Sequence, residues 1–539
     1  MGSSVCGIDL GTTYSCLAYI DETGNPVVAK NSEGSNTTPS VVCFQDDGSV
    51  VVGQSAKDDL VFSPDRAVAF VKRLMGETNF AASIDGQDKS PEEISSYILR
   101  KVVGDAERTA GMDIKDVVIT VPAYFGDPPR TATRNAGEIA GLNVLRIIQE
   151  PVAAAVYYGC MKCDGDTNAL VYDLGGGTFD VNVISVKKQA DGNSIEVVWT
   201  DGDKTLGGKD WDAALVQYLK DEFEAQTGIG VFDDEAEEEF QAKAEEAKRQ
   251  LSSKTATKVS LNIEGEKVKV EVSRDTFNAI TQVLLQRTID LTKDCMEKAA
   301  SQRGVKVDRI LLVGGSTRMV QVEEALSEAF PELLVEINDP DEAVAKGAAL
   351  CALDDAVVMV ESEEQHGGEA ESPCAISEDN LVRNLSLPGV RNKISYATSK
   401  SYGVEVMQDG ISVISNLIKK NQPIPVDTHE VTVAQVYGTA YSGQSAVEVR
   451  IFENDGVDDT VPLEGEPIRT QEFTLGNTCA PEGYPIQVQF NLNEQGLLSV
   501  VATEVATGNV CEFQVEASAG MSSDELQKVK STAMKVKVE

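Results

Sequence analysis

Asp9-Leu10-Gly11-Thr12-Thr13 and Asp173-Leu174-Gly175-Gly176-Gly177-Thr178 each follow an apolar run, and each sets a carboxylate beside glycine and threonine. A third glycine turn, Gly314-Gly315, follows the apolar run 309–313. Glycine has no side chain to pack and weakens a strand, so three in a row call for a reason to keep the backbone bare. Turns of this kind can point N–H groups at an anion. A carboxylate beside a phosphate cradle makes sense when a cation such as Mg2+ lies between them. The implied chemistry is the binding of a nucleoside triphosphate between two facing lobes, with phosphates on backbone N–H groups and threonine hydroxyls and the metal at Asp9 and Asp173. Ordinary hairpin turns are the alternative. One glycine turn alone would favour them; three, two of them sharing Asp and Thr, reverse the balance. No G-x-x-x-x-G-K-[ST] occurs, which argues against the P-loop class.

Such turns need elements to hold them. From residue 5 to about 355 strand-like and helix-like runs alternate, as in 116–125, 130–142, 144–148 and 150–160, the last with Pro151 in its first turn. This is an α/β pattern. The stretches 7–20 and 171–186 repeat one plan of apolar strand, Asp-Leu-Gly, threonine and second strand, which predicts two similar lobes. Residues 233–253 read as an acidic, solvated helix. Residues 361–380 are polar and acidic, a flexible connection. From about 394 to 516 short alternating runs separated by turns predict an all-β sandwich. Ser522 or Ser523 with Glu525 forms a capping box and opens one short helix. Four regions follow: 1–355, 356–393, 394–516 and 517–539.

Of 539 residues, 42% are hydrophobic and 25% charged, a globular composition, and the formal net charge is −40. Nucleic acid is a poor partner for that surface, so any phosphate site must be local. No apolar run reaches the length of a bilayer span, and residues 1–10 lack the pattern of a secretory signal. Cys6 stands where a myristoylation motif wants Ser or Thr. A cytoplasmic location without membrane attachment is expected. The ten cysteines read as buried thiols, with Cys160 and Cys163 forming the lone C-x-x-C. His366 and His429 are the two histidines, far apart in sequence, and read as surface residues.

The stretches GIDLGTTYSC, VPAYFGDPPRTATRNAGEIAGLNVLRIIQEPVAAAVYYG, DLGGGTFDV, LGGKDWD and LLVGGSTRM together resemble the heat shock protein 70 chaperones across residues 5–355. More loosely, SYGVEVMQDGISVISNLIKKNQPIP and APEGYPIQVQFNLNEQGLLSV resemble the opening and closing strands of that family's peptide-binding sandwich. The resemblance implies an actin-like, two-lobed ATPase domain driving a β-sandwich that binds apolar segments of unfolded or nascent polypeptides. Its implied partners are a J-domain co-chaperone and a nucleotide exchange factor; its implied ligands are ATP or ADP, Mg2+ and K+. Carried over by position, Gly11, Thr12, Thr13, Gly175, Gly176, Gly177 and Thr178 hold phosphates, with Tyr14 and Gly207 beside them, and Asp9 and Asp173 hold Mg2+ through water. Lys72 is the implied catalytic lysine, and Glu150, Asp180 and Thr178 help to place the attacking water and bound ions. Without the resemblance, Lys72 reads as a surface salt bridge. Glu245, Lys248, Arg249 and Ser252 clasp adenosine together with Gly314, Gly315, Ser316, Arg318 and Asp341. In the sandwich Val404, Met407, Tyr437, Ala440, Val447 and Val449 align with the peptide cleft, and core packing is the competing role for each. Pro122 and Arg130 match positions that relay the nucleotide state.

Four departures modify that expectation. The stretch after Lys72 is short, so the outer part of the first lobe is trimmed. The apolar linker is expected at 357–361, VVMVE, followed by an insert to about 393 that loosens its connection to the sandwich. The segments around VYGTAYSGQSAV are altered. Little follows the sandwich, so a helical lid and an acidic recruiting tail are not expected. An ATP-cycling chaperone is the leading reading. The alternative is a non-cycling ATP-binding co-chaperone or scaffold, such as a ribosome-associated partner of a J-domain protein. A sugar kinase of the same superfold is weaker, because such a kinase needs no sandwich.

Overall fold

The structure is a computed structural model. It describes residues 3–539 except 61, 78–81, 163–164, 190–191, 264, 338, 367–390, 426–427, 478, 495 and 516–520; for 3–4, 234, 357–366 and 391 the backbone alone is described. The expected flexible stretch beyond 366, Cys163 and the side chain of His366 thus lie outside the described residues.

Two β-hairpins of the same design organise residues 3–355. Ser3–Asp9 pairs antiparallel with Tyr14–Ile20, and Thr167–Leu174 with Phe179–Gln189. Each hairpin has a parallel neighbour on its first strand, Asp113–Val121 or Arg309–Val313, and a second parallel strand beyond it, Asn143–Gln149 or Leu334–Ile337. On its other side each carries an antiparallel strand, Pro26–Val28 or Gly192–Asp203. The repeat visible in the two hairpins therefore extends to the whole sheet order, giving two mixed α/β lobes of one plan.

Helices Glu150–Met161 and Ala343–His366 pack on each other where the lobes meet. Both are rich in alanine, and small side chains let helices approach closely. A Cβ added to Gly7 would lie 2.1 Å from Ala349 N, and one on Gly347 1.7 Å from Ala153 O. Backbone thus touches backbone at the junction, and the glycines are needed for that contact alone.

Residues 401–515 form two antiparallel sheets. One has the order Thr460–Pro462, Ile411–Ile418, Ser401–Gln408, Ala446–Asn454, Arg469–Thr474; the other runs Glu430–Gly438, Pro485–Asn493, Leu498–Glu504, Val510–Val515. Strict alternation in Pro485–Asn493 and Leu498–Glu504 turns Ile486, Val488, Phe490, Leu492, Leu498, Val500 and Ala502 inward, as a face packed on a second sheet requires. The acidic helix is Asp234–Leu251, N-capped by Asp233. Ser522 and Glu525 close the expected capping box on helix Ser523–Ala533. Among the described residues no helix is long and apolar enough to cross a membrane.

The connection between lobes and sheets differs from expectation. Residues 357–360 are not an extended linker; they continue the helix Ala343–His366. Nothing between 348 and 366 breaks a helix, and the first glycine comes at 367. The joining strand is instead Arg391–Ser395, which was expected to belong mostly to the insert. It pairs in parallel with Gly192–Asp203, from Gly192↔Arg391 to Glu196↔Ser395, and becomes the edge of the second lobe's sheet. Ile394 is buried there, and Tyr396 and Ala397 carry the same core directly into the sandwich. The expected insert thus ends at the joining strand, and its residues 367–390 lie outside the described residues.

Candidate functional site

The two hairpin turns face each other across a cleft of about 320 Å³. Asp9, Gly11, Thr12, Thr13, Tyr14, Lys72, Glu150, Asp173, Gly175, Gly176, Thr178, Glu245, Lys248, Arg249, Ser252, Gly314, Gly315, Ser316, Arg318 and Asp341 all line it. Gly177, Gly207 and Asp180 are not among the lining residues. A Cβ on Gly207 would meet Gly177 N at 2.6 Å, and one on Gly177 would meet Thr12 Cγ2 at 2.6 Å. On Gly176 it would lie 2.3 Å from Thr13 Oγ1. The glycine run thus admits the threonines of the opposite hairpin, a packing role that its sequence alone did not reveal.

The floor of the cleft is charged and buried. Asp173 faces Asp180 across the hairpin, and Asp9 accepts from Thr120 Oγ1 at 3.2 Å. Lys72 sits in a short turn, Val71–Leu74, entered through Phe70 in a left-handed conformation (φ 58°), and it forms a buried ion pair with Glu150, the first residue of helix Glu150–Met161. Burial pushes Asp9 up to about 7, helped by Glu150 and opposed by Lys72. The same burial, with Glu150 next, holds Asp173 and Asp180 well above the usual carboxylate range. Burial opposes the Lys72 charge, but Glu150, Asp9 and Asp173 outweigh it and leave the ammonium more strongly held than in water. Asp180 Oδ1 is buried with no hydrogen-bond partner.

Four acids around one lysine form a site short of positive charge, and the orphaned Asp180 oxygen has the same want. That donor set fits a divalent cation. Among the described residues no three acidic, histidine or cysteine side chains converge closely enough to ligate an ion directly.

The outer cleft is latched. Lys57 Nζ donates to Tyr14 Oη at 3.0 Å and pairs with Glu245 at 2.5 Å; Tyr14 donates to Glu245 at 3.2 Å. Arg249 donates to the same Tyr14 oxygen at 3.2 Å. Lys248 pairs with Asp212 at 2.7 Å, Ser316 donates to Gly175 O at 2.9 Å and Arg318 pairs with Asp341. Lys57 and Arg73 were missed by sequence reasoning. Arg73 donates to Gly177 O and lies 3.5 Å from Asp210, which accepts from Gly207 N at 2.7 Å. Only the folded contacts mark either residue.

The sandwich lies against the lobes through polar contacts. Within the first lobe beside it, Arg130, expected to relay, is buried and donates to Phe125 O at 2.9 Å. Asn421 bonds Thr200, and Ser399 donates to Phe125 O at 3.3 Å. The six expected cleft residues do not act alike. Val404 and Val449 are buried core, Tyr437 and Val447 are half-buried, and Met407 and Ala440 are exposed. Core packing is the observed role of the first two.

A family model described as Hsp70 protein matches residues 5–85, 77–360 and 391–539. The chain belongs to the Hsp70 family. In this Hsp70 chain the match stops at 360 and resumes at 391, the first residue of the joining strand. The unmatched residues therefore interrupt the Hsp70 pattern ahead of that strand. Hsp70 membership carries a chaperone role in general, in a family whose members are generally ATPases that bind ATP or ADP with Mg2+.

Proposed function

We propose that the chain is an ATP-dependent chaperone that hydrolyses ATP in the cleft between its lobes and binds apolar segments of unfolded polypeptides in its sandwich. The buried Lys72–Glu150 pair, set among Asp9, Asp173 and Asp180 at the base of the two hairpins, is the observation that carries the reading. Phosphoryl transfer needs positioning and charge stabilisation more than covalent help from protein. Lys72 Nζ, oriented by Glu150, donates toward the transferring phosphoryl oxygens and the attacking water. Asp180 Oδ1, lacking a protein donor, accepts from that water. The turns at Gly11–Thr13 and Gly175–Thr178 supply N–H and hydroxyl donors to the phosphates. Bound Mg2+, held through water by Asp9 and Asp173, would neutralise phosphate charge. Glu245, Lys248, Arg249, Ser252, Gly315, Arg318 and Asp341 lie where the nucleoside would sit.

A second reading, ATP held structurally without cycling, has its own support. The joining strand is paired at five positions, and Val404 and Val449 are core rather than open cleft. Steady-state ATP turnover with and without a J-domain protein separates the two. Stimulated turnover supports the cycling chaperone; tight ATP binding without turnover in either condition supports the scaffold.

A further inference from the structure

Residues 521–539 do not hang free beyond the sandwich. In helix Ser523–Ala533, Leu526, Val529 and Ala533 recur at helical spacing and pack into the core of the first lobe with Met521, Val536 and Val538. Arg100, on helix Pro91–Ala110, donates to Ala533 O at 2.6 Å and Val536 O at 2.8 Å, satisfying carbonyls at the end of the helix. The chain then runs beside Val50–Val52, the edge strand of a three-stranded sheet in the same lobe. Val50 N donates to Lys537 O at 2.9 Å, Glu539 N to Val50 O at 2.9 Å and Val52 N to Glu539 O at 3.0 Å, a parallel bridge centred on Val538. An open sheet edge is a template for pairing, and this one is filled from within the chain.

At the other end of the sandwich, Arg391–Ser395 completes the sheet of the second lobe. Residues 391–539 are therefore joined by backbone pairing to opposite lobes of the cleft. We propose that 521–539 is an intramolecular clamp: with the Arg391–Ser395 strand it ties the lobes together across the cleft and sets how fast a bound nucleoside di- or triphosphate escapes. The clamp rests on the nucleotide reading of the cleft. It requires that the lobes separate before the ligand leaves, because the ligand would lie beneath the latch of Lys57, Tyr14 and Glu245. Separation strains a strap anchored on both sides.

Two full-length variants test this. Arg100→Ala removes both donors to the helix end. Glu539→Pro removes the N–H that bonds Val50 O and leaves both lobes untouched, so it remains informative if Arg100→Ala folds poorly. Neither residue lines the cleft. The measurements are the dissociation rate of a fluorescent ADP, amide hydrogen exchange in Val50–Val52, and the distance between one fluorophore on each lobe without nucleotide. Both variants should release the fluorescent ADP about tenfold faster, exchange Val50–Val52 faster and widen the distance distribution. Unchanged exchange in Val50–Val52 would show that 521–539 does not dock there and overturn the clamp. Faster exchange with unchanged release and unchanged distance would overturn it as well. If the wild type binds no nucleotide, the nucleotide reading fails by itself, and the distance measurement still judges the clamp.

Discussion

Asn421 completes the backbone of Thr200: its Oδ1 accepts from Thr200 N at 2.9 Å and its Nδ2 donates to Thr200 O at 3.1 Å. One side-chain amide from the sandwich thus stands in for a neighbouring strand, on the same edge that Arg391–Ser395 covers further along. Arg303 adds a bond to Asn421 O at 2.5 Å. Replacing Asn421 by Asp removes the donor and sets a carboxylate against Thr200 O. That loss should weaken docking of the sandwich by about 1–3 kcal/mol. Limited proteolysis of the 396–400 segment should become faster, and wild-type protection in the variant would refute the contact's importance.

Ile394 is the apolar anchor of the joining strand, buried in the core shared with Tyr396 and Ala397. Ile394→Asp should release that strand, because an unpaired buried charge is far costlier than the pairing is favourable. Amide hydrogen exchange in Gly192–Glu196, the partners of that strand, should become faster, and unchanged exchange there would refute the anchor.

Lys72→Ala should lower single-turnover hydrolysis on the order of a hundred- to a thousand-fold while nucleotide still binds, as expected for loss of one preorganised donor. It also strands Glu150, and breaking a buried pair typically costs about 3–5 kcal/mol of stability. The double variant Lys72→Ala/Glu150→Gln should recover melting temperature and not turnover. A wild-type rate in the single variant would remove Lys72 from the chemistry.

The paired alanine variant at Asp9 and Asp173 should lose most of its Mg2+-dependent nucleotide affinity by calorimetry. Its stability in the absence of ligand should rise, since burial already holds both carboxyls above their ordinary range. Unchanged Mg-ATP affinity would mean that the ion is held elsewhere.

Asp127 offers a pH test of docking. Burial, then the Glu453 carboxylate, push it up to about 6; Arg130 and Thr131 act in the opposite direction. Glu453 is itself raised by burial, relieved by Lys400 and Tyr402, and worsened by Asp455. A carboxyl whose pKa is raised on folding binds its proton more tightly in the folded state. Its stabilising contribution is complete below about 3.9 and is lost as pH climbs through about 6. Asp127→Asn should therefore flatten stability across that window and gain up to about 3 kcal/mol at pH 7. An unchanged pH profile of melting in the variant would show that Asp127 carries no such linkage.

The two hairpins were legible because each holds its whole signal locally: an apolar strand, an aspartate, glycines and a threonine within a dozen residues. Helix Ser523–Ala533 was legible through its capping box for the same reason. Lys57, Arg73 and Asn421 were not, since each acts on backbone or side chains far away in the chain and stands in an undistinguished local sequence. The joining strand was misread on similar grounds. Residues 357–360 are the apolar run nearest the lobes, yet they lie in a stretch with nothing to stop a helix, whereas Arg391–Ser395 has one buried apolar side chain, Ile394, and owes its extended form to a distant open edge. The run Gly175–Gly177 was attributed to ligand space, and only the facing threonines Thr12 and Thr13 show that two of its glycines make room for protein.

The bare contact between Gly347 and Ala153 O bears on how the lobes can turn. Where helices cross with long side chains interleaved, rotation forces many rotamers to change together. At the point of closest approach here, glycine lies against bare backbone with no side chain to interleave, so the crossing can act as a pivot. A single methyl group, as in Gly347→Ala, would act as a shim: with Ala153 O in its path, it would reset the resting angle between the lobes and change the width of the cleft at a distance, with every cleft residue still present.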